Sequence, residues 1–186
     1  AKEGKNTFSF RATALPWDLP QDADILTSMK AFDEELKTIN LANAPVLPTP
    51  KPGEATYIGV TKCLECHYET QNYWDHDRHS LAWETLEKDN KTFDADCVSC
   101  HVTGYGKAGG STIGKTKGLE DVQCEACHGP GSLHVEAAEG QEKETIIRSP
   151  TQEVCATCHN KHHSPNFDFR KYRKKLIVPG HGKAVL

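Results

Sequence analysis

Long apolar runs are absent from this 186-residue sequence, in which apolar residues make up 37 % and occur only a few at a time. A membrane-spanning helix needs about 20 consecutive apolar residues, so the sequence predicts no membrane span. An excess of basic residues is also missing, because the formal net charge is −4. Nucleic acid is therefore not expected as a partner. No signal peptide is visible at Ala1, so the numbering would describe a mature form if the protein is exported.

Methionine is scarce, and cysteine and histidine are confined to part of the chain. Met29 is the only methionine, and residues 1–56 contain neither cysteine nor histidine. The low apolar content is poor material for a core that is built from side chains alone. Either the fold is rich in loops, or something other than side chains supplies its apolar interior.

All eight cysteines belong to one pattern, CxxCH, which occurs four times. We name these segments motif 1 (63–67), motif 2 (97–101), motif 3 (124–128) and motif 4 (155–159). A zinc site needs CxxC pairs but no histidine directly after each pair. Thioredoxin-like chemistry uses a single reactive pair beside a βαβ unit. Neither chemistry explains why a histidine follows all four pairs.

Covalent haem attachment explains every position of the motif. The two cysteines form thioethers with the porphyrin, and the adjacent histidine becomes the proximal ligand of the iron. The sequence therefore predicts four c-type haems, which also supply the missing apolar interior. The predicted fold is a small multihaem cytochrome c wrapped around its haems, mostly α with extensive coil and little or no β-sheet. The predicted attachment residues are Cys63, Cys66, Cys97, Cys100, Cys124, Cys127, Cys155 and Cys158, and the proximal ligands are His67, His101, His128 and His159.

Six further histidines remain for the other axial position of each iron: His76, His79, His134, His162, His163 and His181. With only one methionine available, the sequence favours two histidines on every iron, which is typical of low-potential electron transfer because Met/His ligation raises the potential. Residues 68–90 have the apolar periodicity of one helix, which would place His76 and His79 on the same face.

From Tyr57 onward the chain resembles the multihaem cytochrome c554 family. The stretches that carry the resemblance are YIGVTKCLECH with HDRHSLAW, CVSCHVTGYG, CEACHGPGSLH, and CATCHNKHHSPNFDFRKY leading to PGHG. Carried over onto this sequence, the resemblance implies that His79, His134 and His181 are distal ligands.

Within that family, the chain resembles filament-forming tetrahaem cytochromes of the OmcE type. That resemblance implies a polymer of identical subunits on the cell surface, with one iron ligated by a histidine of the next subunit. The fourth distal ligand would then be His162, His163 or His76, of which we favour His163. Whether it binds within its own subunit or across an interface is open at this stage.

The haem-free residues 1–56 are expected to form an N-terminal arm, separate from the tetrahaem domain of residues 57–186. An apolar stripe from Ile25 to Ile39 predicts a helix over about 23–41, with Asp22 and Asp24 as candidate N-caps. A stiff proline-rich linker follows over residues 44–53. The arm would dock either on its own haem domain or on a neighbouring subunit.

Three functions fit this pattern. The favoured one is an electron conductor without a catalytic residue, exported to the outer cell surface, whose partners are copies of itself, redox cytochromes and external electron acceptors. A soluble periplasmic shuttle is the second. The third is an enzyme in which the iron on His101 keeps an open site for nitric oxide, nitrite or hydroxylamine, as the family resemblance allows. The surplus of histidines argues against such an open iron.

Overall fold

The computed structural model describes residues 9–183, in which short helices alternate with long irregular connections. Most helices span only five to eight residues, and the longest has 20. The predicted class, mostly α with extensive coil and almost no sheet, is confirmed. The described α-helices are α1 (Ala23–Ala42), α2 (Val60–Leu64), α3 (Gln71–His76), α4 (Ala82–Lys88), α5 (Ala95–His101), α6 (Cys124–His128), α7 (Ser132–Glu136), α8 (Gln152–Ala156) and α9 (Phe169–Leu176).

The chain divides into two compact units, one up to Glu35 and one from Leu36 onward. The described part of the first unit, from residue 9 onward, holds irregular chain and the first part of α1. The side chain of Asp22 caps α1, because its Oδ1 accepts the backbone N–H groups of Asp24 and Ile25, each at 3.0 Å. The division by packing falls within α1, whereas the sequence-based boundary at residue 56 rests on where the cysteines and histidines begin.

The second unit has a small core of side chains beside motif 2. Its members come from α4, α5, the connection between them and the loop that follows α5. Partly buried residues such as Leu36, Trp83 and Tyr105 pack against them. Asn40 ties the end of α1 to this core by donating its side-chain N–H to the carbonyl oxygen of Phe93 at 3.0 Å. The buried core residues are Leu86, Phe93, Val98, Val102 and Ile113.

The prediction of one helix over residues 68–90 is wrong. A 3₁₀ turn (Tyr68–Thr70), α3, a second 3₁₀ turn (Arg78–Leu81) and α4 follow one another, and the helical path is interrupted at Asp77. Asp77 adopts extended backbone, with φ −84° and ψ 142°. Its carboxylate caps the turn that follows by accepting the N–H of His79 at 2.9 Å. An aspartate that bonds local backbone in this way favours a cap over the middle of a helix.

Strand structure is limited, among the described residues, to β1 (Val178–Pro179) and β2 (Gly182–Lys183), which pair in parallel around His181. None of the helices described is long and apolar enough to cross a membrane.

Candidate haem sites

Each CxxCH motif is built on or directly after a short helix. Motifs 2 and 3 end α5 and α6, whereas motifs 1 and 4 run on from α2 and α8. In the latter two, the histidine N–H donates to the carbonyl oxygen of the first cysteine at 2.9 Å, which continues the helical turn. Residues three and four apart on a helix lie on one face. The motif therefore presents both sulfurs and the imidazole to the same side, and none of the eight cysteines is in a disulfide.

Three of the four motif histidines face a second histidine from elsewhere in the chain. His67 faces His134 with ring centroids 6.2 Å apart. His159 faces His79 at 6.0 Å, and His128 faces His181 at 6.1 Å. The structure thus brings His79, His134 and His181 each opposite a different motif.

The separation within these pairs fits a metal ion between the rings. A metal–imidazole bond is about 2.0 Å and the ring centroid lies about 1.1 Å beyond its nitrogen, so two imidazoles on opposite sides of one ion have centroids about 6.2 Å apart. The donor set and its spacing therefore suit a haem iron with two axial histidines.

Hydrogen bonds at Nδ1 leave the Nε2 atom of most of these histidines available for a metal. Such bonds fix the tautomer and orientation of a metal-ligating ring. The Nδ1–H groups donate to the carbonyl oxygens of Ile147 (from His128, 2.6 Å), Glu142 (from His134, 2.8 Å) and Leu176 (from His181, 2.6 Å), to Asp77 Oδ1 (from His79, 2.7 Å), and to Ser164 Oγ (from His159, 2.9 Å).

Burial favours the neutral form, which a metal requires, in two of the motif imidazoles. Desolvation by burial lowers the pKa of His128, and burial together with the nearby His79 lowers the pKa of His159. The pKa of the Asp77 carboxyl group is lowered as well, but by a different cause. Burial alone would raise the pKa of its carboxyl group, but the hydrogen bonds from His79 outweigh burial and hold that pKa below its usual value.

Motif 2 differs from the other three. His101 donates its Nδ1–H to the carbonyl oxygen of Ala82 at 2.6 Å, and the hydroxyl of Thr85 lies 3.2 Å from the same nitrogen. Among residues 9–183, no second histidine ring is in contact with that of His101. The arrangement leaves the Nε2 atom of His101 free for an iron, with the other side of that iron unassigned within this chain.

The remaining histidines are on the surface. His76 donates its Nδ1–H to the carbonyl oxygen of Asn72 at 2.7 Å, as most of the paired histidines do with their own acceptors. The rings of His162 and His163 have no such contact among the described residues; their backbone N–H groups donate to Asn160 Oδ1 at 2.9 and 3.1 Å. The prediction that His163 is the fourth distal ligand stays a prediction.

The sulfurs of different motifs are neighbours. The pKa of the Cys63 thiol is raised, first by a hydrogen-bonding contact with Cys124 and then by burial, which puts motif 1 beside motif 3. Burial and then the nearby Cys155 raise the pKa of Cys127 to about 11, which relates motif 3 to motif 4. Burial and, after it, the nearby Cys100 of motif 2 raise the pKa of Cys158, which relates motif 4 to motif 2. The motifs therefore follow one another in space in the order 1, 3, 4, 2.

Parts of the chain are similar in sequence and fold to known proteins. Residues 62–129, which include motifs 1–3, match the family model described as cytochrome c554 and c-prime. Cytochrome c-554 of Nitrosomonas europaea is 38 % identical over 94 residues, which cover 42 % of this chain and only 40 % of that protein. The solved reduced-state structure of cytochrome c554 from the same organism has a TM-score of 0.52 and 26 % identity, and the match covers 64 % of this chain and 82 % of that one. This chain is similar to cytochrome c554.

The similarity to cytochrome c554 fits covalently bound c-type haem at the CxxCH motifs. Motif 4 lies beyond the residues that the family model matches. At motif 4 the local geometry itself supports a haem site, because Cys155, Cys158 and His159 belong to one motif and His79 lies opposite His159. The sequence did not reveal Asp77 and Ser164 as hydrogen-bond partners of these histidines, because neither residue carries a signal of its own outside the fold.

Proposed function

We propose that this protein is a tetrahaem c-type cytochrome that transfers electrons and has no catalytic residue of its own. The observation that carries the proposal is the three histidine pairs with centroids 6.0–6.2 Å apart, each containing the histidine of a CxxCH motif. Bound c-type haem supplies one-electron redox chemistry at its iron. The chain contributes the thioether sulfurs, the axial imidazoles and the hydrogen bonds that orient them.

The neighbouring sulfurs support a relay within the subunit. Electron transfer between cofactors requires that they be close, and the contacts Cys63–Cys124 and Cys100–Cys158 relate the motifs at both ends of the series to the motifs in its middle. Electrons would pass between motif 1 and motif 2 by way of motifs 3 and 4.

Haem stoichiometry tests this proposal. The intact mass should exceed that of the polypeptide by four haems, and the reduced spectrum should be that of low-spin c-type haem. As a matched control, the double variant Cys155→Ser with Cys158→Ser should lose one haem and retain three. A wild-type protein with three haems or fewer would contradict the assignment of motif 4.

We further propose that copies of the chain assemble into a filament and that a histidine of one copy completes motif 2 of the next. Two observations support this idea: the second axial position at His101 has no partner histidine within the described chain, and the first unit exposes large apolar side chains. Exposed apolar surface of this kind is typical of interaction sites. The exposed residues include Phe10, Leu15, Trp17, Ile25, Met29 and Phe32.

The donor of that histidine is His163 in the sequence-based prediction, with His76 as its strongest rival. His76 is on the surface, and its Nδ1 contact with Asn72 directs Nε2 away from its own helix, as for the paired histidines. The variants His163→Ala, His162→Ala and His76→Ala separate the three candidates. The correct one should convert one haem in four to high spin and abolish filaments in electron micrographs. Low-spin spectra and filaments in all three would contradict the shared ligand.

A surface filament of this kind would carry electrons from redox cytochromes to external acceptors, outside the cell or at its outer surface. The alternatives are a soluble periplasmic shuttle, which would remain monomeric, and an enzyme acting on nitric oxide, nitrite or hydroxylamine at an open iron of motif 2. Stoichiometric binding of nitric oxide to one ferrous haem in four of the wild type would favour the enzyme. A monodisperse monomer with only low-spin haem would favour the shuttle, with one of the surface histidines closing motif 2 from within the same chain.

A further inference from the structure

A carboxylate is buried inside the cluster of CxxCH motifs. Glu125 stands between the two cysteines of motif 3 and is only 2 % exposed. Its Oε1 accepts the backbone N–H of Gly131 at 2.7 Å, and its Oε2 accepts that of Gly59 at 2.8 Å. The N–H of Ile58 lies between the two oxygens, at 3.0 and 3.1 Å. Three backbone donors therefore converge on one acidic side chain.

These contacts use both oxygens of Glu125 as acceptors. Hydrogen bonds from backbone N–H groups to a carboxylate are short and strong, and each buried N–H needs such an acceptor. The surroundings are shaped to this contact, since a Cβ atom at Gly131 would approach Glu125 Oε1 to 3.3 Å. The structure therefore holds this carboxyl group in one position, out of contact with solvent.

This carboxyl group lies between motif 1 and motif 3. Ile58 and Gly59 lead directly into α2, which carries Cys63, while Glu125 itself belongs to motif 3. After the contact with Cys124 and burial, the charge of Glu125 contributes to raising the pKa of the Cys63 thiol, so its field reaches the sulfur of motif 1. Next to it, the side-chain oxygen of Gln123 accepts the N–H of Val60 at 2.7 Å, which extends the same row of amides.

We propose that Glu125 is a redox-tuning residue, whose buried charge lowers the reduction potentials of the irons at motifs 1 and 3 relative to those at motifs 2 and 4. The inference rests on the proposed function, because it requires haem at these motifs. A negative charge in a low-dielectric interior stabilises the ferric over the ferrous form of a nearby iron, and burial limits the screening that water and salt provide. The local charge and polarity around a haem are among the means by which proteins set its potential.

The experiment compares three variants of the holoprotein by redox titration, with the haems assigned by NMR. In Glu125→Gln, which has the same shape without the charge, the ferric-to-ferrous ratio at a fixed applied potential should fall about tenfold at motifs 1 and 3, an upward shift of about 59 mV for a one-electron couple. At motifs 2 and 4 the ferric-to-ferrous ratio should change at most about threefold. Glu125→Asp keeps the charge, so its ferric-to-ferrous ratios at the same applied potential should stay within about threefold of the wild-type ratios.

The matched control is Glu65→Gln. Glu65 lies in the spacer of motif 1, but it is exposed and paired with Lys62 at 2.8 Å. Because solvent screens its charge, the ferric-to-ferrous ratios of the haems should change less than threefold in this variant. A Glu125→Gln protein with an intact spectrum and unchanged potentials would overturn the inference. So would equal shifts in Glu125→Gln and Glu125→Asp, which would make the role one of packing alone.

A second route covers the case in which Glu125→Gln yields no holoprotein. In the wild-type holoprotein, the reduction potentials at motifs 1 and 3 should lie below those at motifs 2 and 4, because Glu125 lies between the first two motifs. The opposite order overturns the inference. The proposed function fails separately, through a wild-type protein that carries fewer than four haems, whatever these potentials are.

Discussion

The imidazole rings of His67 and His134 lie nearly parallel, at an angle of 14°. The other two pairs are close to perpendicular, at 90° for His79 with His159 and 85° for His128 with His181. With an iron between the rings, this angle decides how strongly the two axial ligands split its d orbitals. Parallel rings donate π density to the same orbital, whereas perpendicular rings donate equally to two.

The ring angles predict the electron paramagnetic resonance spectrum of the oxidised protein. The haem at motif 1 should give a rhombic low-spin signal, because parallel imidazoles remove the near-degeneracy of the iron orbitals. The haems at motifs 3 and 4 should give strongly anisotropic signals with a large maximum g value. Three rhombic signals of one type at cryogenic temperature would contradict the pairing geometry.

Removal of a distal histidine should open one iron and leave the others unchanged. His134→Ala, His79→Ala and His181→Ala should each convert one haem in four to high spin, at motifs 1, 4 and 3 respectively, because each ring faces one motif histidine. Optical and resonance Raman spectra report the spin state. The haem count should stay at four, since the thioethers do not depend on these residues, and a variant that stays fully low-spin would remove that histidine from the ligand set.

The sequence allowed the motifs and the fold class to be predicted because both follow from short local patterns. CxxCH has a fixed spacing on a helical turn, and long polar connections are visible in the composition. The histidine pairs were predicted only as a set carried over from a family resemblance, because partners such as His128 and His181 are 53 residues apart and spacing does not encode which of them meet. The prediction of a single helix missed the interruption at Asp77, because the apolar periodicity continues across this residue. The Asp77 carboxylate instead caps the turn that follows.

The core beside motif 2 was also missed, since the composition suggested that haems alone would supply the interior. Leu86 is only 5 % exposed and packs with Phe93 and Val98. Leu86→Ala should lower the free energy of unfolding by about 2–5 kcal/mol, the usual cost of removing a buried leucine side chain. Guanidinium unfolding followed by far-ultraviolet circular dichroism measures this loss.

Leu81→Ala is the matched control for the core, because Leu81 is 49 % exposed and lies in the same segment. Its unfolding midpoint should change little. Equal losses in both variants would mean that the haems, and not this cluster of side chains, dominate the stability around motif 2.

Asp77 offers the last test, because it contacts His79 twice through one carboxylate oxygen. Oδ1 accepts the Nδ1–H at 2.7 Å and the backbone N–H at 2.9 Å. A carboxylate on the far nitrogen makes an imidazole a more basic ligand and so stabilises the ferric form. Asp77→Asn should therefore raise the reduction potential of the haem at motif 4 by roughly 30–60 mV. For a one-electron couple this is a fall of about threefold to tenfold in its ferric-to-ferrous ratio at a fixed applied potential. Asp75→Asn removes an exposed carboxylate two residues away and should leave that potential within a few millivolts, so equal shifts in the two variants would assign the effect to net charge and not to the hydrogen bond.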